Sequence, residues 1–409
     1  MTSGENRATY REALAVPEFR AIFVSQGLSL VGDHVARIAI ALLVYARTGS
    51  AFAASATYGC SFLTWLVGGP VLSALADRHR RRHIMIVTDL ARFALVALLL
   101  VPEPPLWLVF AVLVAVGLLA PPFESARSAL LPDIVTGELY VAGNSLINTT
   151  IQGAQVAGFF IGGLLVSLIS VRGALALDAA TFLVSAAVLR LAIAERPVVE
   201  RERTSLIGDV VAGVHFVRAD PYLRGLLAYG VLAAVVAIVP EGLAVAVAGD
   251  DGNGARTAGI LTATIPLGYV VASAVILRWS AEQRARQMLP LTLVLCLPLL
   301  LTPLVSGTAL TAVLWLVAGA GTAVQLIASV AYVAGTAPEF RGRAFGLAGT
   351  ALMLSQGVAL LLAGALADLI GPRSVVAVAA GLGLLALVAM RSTLAGAQGN
   401  AQVRRRSTG

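Results

Sequence analysis

Asp33 and Arg37 stand four residues apart in a stretch, residues 19–46, that is otherwise almost wholly apolar. On a helix this spacing stacks a carboxylate and a guanidinium one turn apart. Charged groups inside an apolar span are costly and mark ion pathways and proton relays. The chemistry open to the pair is loading and release of a proton or cation at Asp33, with Arg37 tuning it. Asp178 and Glu241 lie in apolar stretches with no arginine close in sequence. A carboxylate in low dielectric favours its protonated form, so both join Asp33 and Arg37 as proton-coupling positions. Asp89 and Arg92 form a similar couple three residues apart, which reads as a neutralised structural pair.

Uncharged polar residues fall on stripes. Asn144, Asn148, Gln152 and Gln155 are spaced 4, 4 and 3, which aligns four side chains along one helix face. Thr322, Gln325, Ser329 and Tyr332 form a second stripe, and Gln26, Ser29, Asp33 and Arg37 a third. Thr262, Tyr269 and Ser273 share one side of a fourth segment. Polar groups are not left facing hydrocarbon, so these stripes are expected to line a solvated cavity that receives a small-molecule substrate. The competing reading is interhelical hydrogen bonding.

The elements that must carry these groups follow from composition. Of the 409 residues, 58% are hydrophobic and 12% charged, about half the charge of a typical soluble domain. Mean hydropathy is +0.88. A surface so poor in charge is expected to face a lipid bilayer. Segments of about 20 apolar residues are predicted as transmembrane helices. Twelve are read: 19–46, 53–76, 83–102, 105–124, 142–170 and 173–194, then 222–247, 256–277, 287–305, 308–334, 343–369 and 373–391. The predicted organisation is a segment 1–18, a six-helix bundle 19–194, a linker 195–221, a second bundle 222–391 and a basic tail 392–409. Within the linker, "SLIGDVVAGVHFVR" has apolar residues at helical spacing and reads as an amphipathic helix on the membrane surface. "LLPDIV" and the glycine-rich run after it parallel "TAPEFR" and its own, a weak internal repeat of the kind transporters are built from.

All 29 basic residues are arginine. With the N-terminus inside, only Arg47, Arg172, Arg256 and Arg373 fall on the outer side and only Arg37 and Arg92 deep within spans, the others lying in inside segments or at the inner ends of spans. This alternation predicts a multi-pass plasma-membrane protein with both termini cytoplasmic. Placement between apolar segments also argues against nucleic acid as the target of the +7 charge. Cys60 and Cys296 lie in apolar runs and offer neither a disulfide framework nor metal spacing. Trp65, Trp107, Trp279 and Trp315 mostly stand near span ends and read as interfacial anchors.

The densest basic knot, "SALADRHRRR" from Ser73 to Arg82, lies between predicted spans two and three. Together with twelve spans in two halves, it resembles the major facilitator superfamily, whose loop there reads G-x-L-A-D-R-x-G-R-R. Asp77, Arg78, Arg81 and Arg82 match, while Ser73 and Arg80 stand where the family has glycine. The resemblance implies that Asp77, supported by Arg78 and Arg81, latches a cytoplasmic gate. "GFFIGG" retains Gly158, Gly162 and Gly163 of the span-five G-P-x-x-G-G of the family's antiporters, with Phe159 in place of proline. The drug exporters often carry an arginine in span four, and "LWLVFAVLVAVGLLAPP" has none. "SLVGDHVARIAIALLVYARTGS" and "ESARSALLPDIVTGELYVAGNSL" resemble the branch of enterobactin and macrolide efflux carriers.

The expected fold is therefore all-α: twelve transmembrane helices in two pseudo-symmetric bundles. The expected function is proton antiport that exports an amphipathic small molecule, by a monomer in the bilayer. A proton-coupled importer of a sugar or organic acid is the alternative, and a non-transporting membrane receptor or scaffold a third reading. "GDDGNGAR" has no phosphate-loop pattern, and His34, His79, His83 and His215 are scattered. No enzyme activity, cofactor or metal is expected.

Overall fold

The computed structural model describes residues 9–196, 215–250, 254–336 and 340–407. Side chains are described for these except at 66–67, 69–78, 281, 341–343 and 390–407. The linker helix predicted from "SLIGDVVAGVHFVR" lies mostly outside the described residues.

The described chain is helical from end to end. The first helices are α1 Tyr10–Ala15, α2 Pro17–Thr48, α3 Ala51–Arg78, α4 Arg81–Ala97, α5 Leu106–Ile134 and α6 Gly137–Ala192. They are followed by α7 Pro221–Asp250, α8 Ala255–Ile276, α9 Ala281–Arg286 and α10 Met288–Leu300. The last are α11 Thr308–Gly321, α12 Val324–Gly335, α13 Arg341–Ile370 and α14 Pro372–Ser407. Lipid offers backbone N–H and C=O groups no partners, so a spanning segment satisfies them internally as a helix. Among the described residues nine helices are long and apolar enough to cross a membrane, and the shorter Met288–Leu304 is also apolar. α6 breaks at Ser170 (φ 82°, ψ 165°) and holds two predicted spans. With α3, these elements account for the twelve predicted spans of a multi-pass membrane protein.

Three boundaries differ from the reading of the sequence. α5 runs to Ile134, past the predicted end at 124, with Arg127 paired to Glu124 and Asp133 to Arg81. Span ten is interrupted at Thr322–Ala323, where the N–H of Thr322 reaches the carbonyls of both Ala318 (3.3 Å) and Gly319 (3.1 Å). α14 continues to Ser407, beyond the predicted end at 391.

The helices fall into two compact units, Met1–Arg47 with Cys60–Glu202 and Thr48–Gly59 with Arg203–Gly409. In the first, Ile22, Met85, Phe123, Leu130 and Leu189 join α2, α4, α5 and the second half of α6 in one core cluster. The motif glycines bring α6 against α2. A Cβ on Gly158 would lie 2.5 Å from His34 Cβ, and one on Gly162 2.9 Å from Val35 Cα; Gly163 is buried beside them. Small residues permit this approach, and van der Waals packing is what holds helices together in lipid. In the second unit, Tyr332 donates to the carbonyl of Ala344 (3.1 Å). Trp315 is fully buried there and donates from Nε1 to Thr302 Oγ1 (3.2 Å). It is a core residue and not an interfacial anchor, whereas Trp107 is 71% exposed.

Candidate functional site

The first unit concentrates buried charge from four helices. α4 contributes Asp89 and Arg92, both on its buried face at 0% and 5% exposure. Arg92 Nη1 lies 3.9 Å from Asp89 Oδ1, and Ser185 Oγ from α6 donates to Asp89 Oδ2 at 2.5 Å. The Arg92 guanidinium also faces two rings, with centroids 5.4 Å away at Phe123 and 5.6 Å at Phe182. Such cation–π contacts hold a desolvated arginine in place.

α6 contributes Asp178, 1% exposed, with Oδ1 lacking a hydrogen-bond partner. It sits against the α2 backbone: a Cβ on Gly32 would be 2.6 Å from this oxygen, so α2 approaches closely only because residue 32 is glycine. The next residue of α2 is Asp33. Asp178 interacts electrostatically with both Asp33 and Arg92, and Asp33 with Arg92, Arg37 and Glu124. Arg92 pairs with Asp89 at 3.9 Å and also acts electrostatically on Asp33 and Asp178.

α5 adds Glu124 and Arg127. Arg127 donates from Nε (3.0 Å) and Nη2 (2.5 Å) to Glu124 Oε2, and Gln26 Nε2 donates to Glu124 Oε1 (3.3 Å). Sequence reasoning named neither residue: Glu124 was the last of the predicted span 105–124 and Arg127 lay beyond it. The helix of the fourth predicted span, α5, therefore does carry an arginine, beyond the stretch in which it was sought. The signal that could have found it is the i, i+3 spacing of Glu124 and Arg127.

The structure thus joins Asp33 and Asp178 to the Asp89–Arg92 couple, which the sequence presented as a separate pair. Glu241 is elsewhere, 4% exposed in α7 of the second unit. Among the polar stripes, Gln26 and Ser29 are buried; Asn144, Gln152 and Gln155 are half-buried and Asn148 exposed. Thr262 and Thr322 are buried and donate to carbonyls of their own helices, Ala258 (2.7 Å) and Gly319 (2.6 Å). Tyr269 and Gln325 are half-buried and Ser329 is exposed, while Ser273 Oγ has no hydrogen-bond partner.

In the basic knot the side chains of Asp77 and Arg78 lie outside the described residues. Arg81 donates to Asp133 and to the Ala129 carbonyl (2.7 Å), fastening α4 to the end of α5. Arg82 donates to the Arg190 carbonyl. Arg80, where the family has glycine, pairs with Glu195 beyond α6, and its hydrogen bond holds the Glu195 carboxyl below the usual carboxylate range.

The family profile of the Major Facilitator Superfamily matches residues 22–253 and 226–405. The chain belongs to this superfamily. It is 24% identical over 362 residues to the uncharacterized MFS-type transporter YfiS of Bacillus subtilis (strain 168), covering 86% of this chain and 87% of that one. It is 27% identical over 361 residues to the multidrug efflux pump Tap of Mycolicibacterium fortuitum, covering 83% and 87%. Over 100 residues, 24% of this chain and 25% of the other, it is 35% identical to macrolide efflux protein A of Streptococcus pyogenes. Among solved structures, the nucleoside transporter NupG (D323A mutant) superposes with a TM-score of 0.73 at 12% identity, covering 92% and 99%. The chain is a major facilitator transporter that resembles the drug-efflux branch, and it is not an enzyme.

Proposed function

We propose that this transporter exports an amphipathic small molecule, such as a drug or secondary metabolite, in exchange for protons. The observation that carries the reading is the charge array beside Asp33. Asp33 is half-buried on α2; Asp178, buried on α6, packs against the neighbouring Gly32, and the buried Asp89–Arg92 couple stands on α4. Carboxylates that feel one another in low dielectric compete for ionisation, and a proton arriving on one relieves both. Proton binding and release at such a site change the charge of a moving bundle, which is what coupling to alternating access needs. The efflux names of two relatives support export. The same reading places the chain in the plasma membrane as a monomer with both termini cytoplasmic.

The test is transport in proteoliposomes with two probes, a macrolide and a lipophilic aromatic cation. Asp33→Asn is expected to abolish accumulation driven by a pH gradient while leaving probe exchange at equal pH. Unchanged coupling in this variant overturns the assignment. Direction is decided in cells lacking their own pumps: expression lowers probe accumulation for an exporter and raises it for an importer.

A further inference from the structure

We propose that Asp368, seated by Gly364, is a latch of the transport cycle: it fastens the first turns of α3 to α13, and the carrier opens at that end by releasing them. The inference rests on the alternating-access reading above, whose topology makes this the outer end.

α3 is shared between the compact units, with Thr48–Gly59 in the second and the chain from Cys60 in the first. Its first turns lie on α13. Asp368 Oδ1 accepts the N–H of Ala51 (2.6 Å), Oδ2 accepts the Ser50 hydroxyl (2.7 Å), and the two oxygens reach the N–H of Phe52 at 3.4 and 3.3 Å. The N–H groups of Ala53 and Ala54 go to Ser50 itself, at Oγ (3.1 Å) and at the carbonyl oxygen (3.2 Å). Of the four N–H groups that a helix start leaves open, α13 therefore serves those of Ala51 and Phe52. One turn on, Ser55 donates to the Leu360 carbonyl (2.9 Å). Glycine makes the fit: a Cβ on Gly364 would lie 2.8 Å from Phe52 Cα, and one on Gly59 3.4 Å from the Gly357 carbonyl oxygen.

Asp368 stands at the wrong end of its own helix. It lies in the last turn of α13, where the macrodipole disfavours a carboxylate, while the start of α3 favours one. Opening the contact strands the charge at the unfavourable end, so the closed form is preferred. Asp368 and Phe52 are nevertheless exposed. Water can take over the broken hydrogen bonds, and release leaves no polar group orphaned in apolar surroundings. The buried seam beneath, with Ser55, Gly59, Gly357 and Gly364, defines the position to which α3 returns. The sequence uses the pattern twice: G-A-L-A-D, Gly364–Asp368, closes α13, and S-A-L-A-D, Ser73–Asp77, closes α3.

The experiment measures how fast a hydrophilic, membrane-impermeant methanethiosulfonate reacts with Ser55→Cys in the full-length protein in lipid nanodiscs, with Cys60→Ala to remove the neighbouring thiol. It needs no transported substrate and no proton gradient. Ser55 is fully buried, so the rate follows the population of the released form. Native Cys296, equally buried in the same unit, reports general loosening. Adding Asp368→Ala is expected to raise the rate at residue 55 about fivefold, the equivalent of one lost cap, and to leave Cys296 unchanged. Asp368→Asn raises it less, and Gly364→Val, which unseats α13, raises it more. If Asp368→Ala fails to fold, molar salt on the Ser55→Cys protein makes the same test, because screening weakens the charge–dipole hold and the rate rises. A rate that ignores both residue 368 and salt, or a rise that Cys296 shares, overturns the proposal; the cap is then a fixed brace. Reagent added to intact cells separates the two readings. If the series holds but residue 55 reacts only after the cells are permeabilised, the latch stands and the topology proposed above falls.

Discussion

Asp368 accepts the backbone N–H of Ala51 at 2.6 Å across 317 residues of sequence, and its other oxygen accepts from Ser50 Oγ at 2.7 Å. The first N–H groups of α3 have no partner within the helix: Ser50 Oγ accepts that of Ala53 (3.1 Å), and a carboxylate from α13 adds to this local cap. Replacing a capping carboxylate with alanine costs about 1 kcal/mol, with an added charge–dipole contribution that salt screens. Asp368→Ala is expected to lower the unfolding temperature of the purified protein. Asp368→Asn, which retains an acceptor, should lose less, and the difference between the two should shrink at high salt.

Ser170 stands at φ 82°, a conformation that favours glycine, where α6 breaks. Its hydroxyl accepts a weak hydrogen bond from the N–H of Gly173 (3.4 Å). The strain is worth about 1–3 kcal/mol, while exchanging a serine cap for glycine costs only a few tenths, roughly 0.3 kcal/mol. Strain wins, so Ser170→Gly is expected to raise the unfolding temperature. Ser170→Ala keeps the strain, loses the cap and should lower it.

Gly158 and Gly153 lie on the same helix in opposite surroundings. A Cβ at Gly158 meets His34 Cβ at 2.5 Å, whereas at Gly153 nothing lies within 4 Å. Gly158→Ala is expected to destabilise by about 1–3 kcal/mol through overpacking against α2. Gly153→Ala should be neutral or stabilising by up to about 1 kcal/mol from helix propensity. Reversible unfolding of the two variants in mixed micelles checks the pair.

The Arg80–Glu195 ion pair is exposed, with side chains 58% and 52% accessible. Glu195 is held below its ordinary range by Arg80, so its contribution is present at neutral pH. That contribution disappears as pH falls through the lowered folded-state value. The unfolding-temperature gap between wild type and Glu195→Gln should therefore be small at neutral pH, close on acidification, and vanish in high salt. A gap that widens in acid contradicts the pairing.

Much of this architecture was legible in the amino-acid order. Lipid forces every spanning segment into a helix, so hydropathy alone located the apolar elements, and the arginine-poor and arginine-rich loops alternated as a multi-pass chain requires. That Asp33 and Arg37 share one helix was equally readable, because the apolar run around them had to be helical. The glycines of "GFFIGG" announced a close helix approach, though not that His34 and Val35 would be the surfaces met.

Only the tertiary structure decided which charges share a site. Arg92 reads in sequence as the partner of Asp89, three residues away, yet its guanidinium also faces Phe123 and Phe182 from two other helices and acts electrostatically on Asp33 and Asp178. Glu124 and Arg127 looked like the end of a span because hydropathy counts a charge as exposed, while their mutual pairing lets α5 continue past them. Residue order determines what faces lipid through a period of 3.6 along each helix. Electrostatics acts through space at a few ångströms, so the balance of buried charge exists only once the helices have packed.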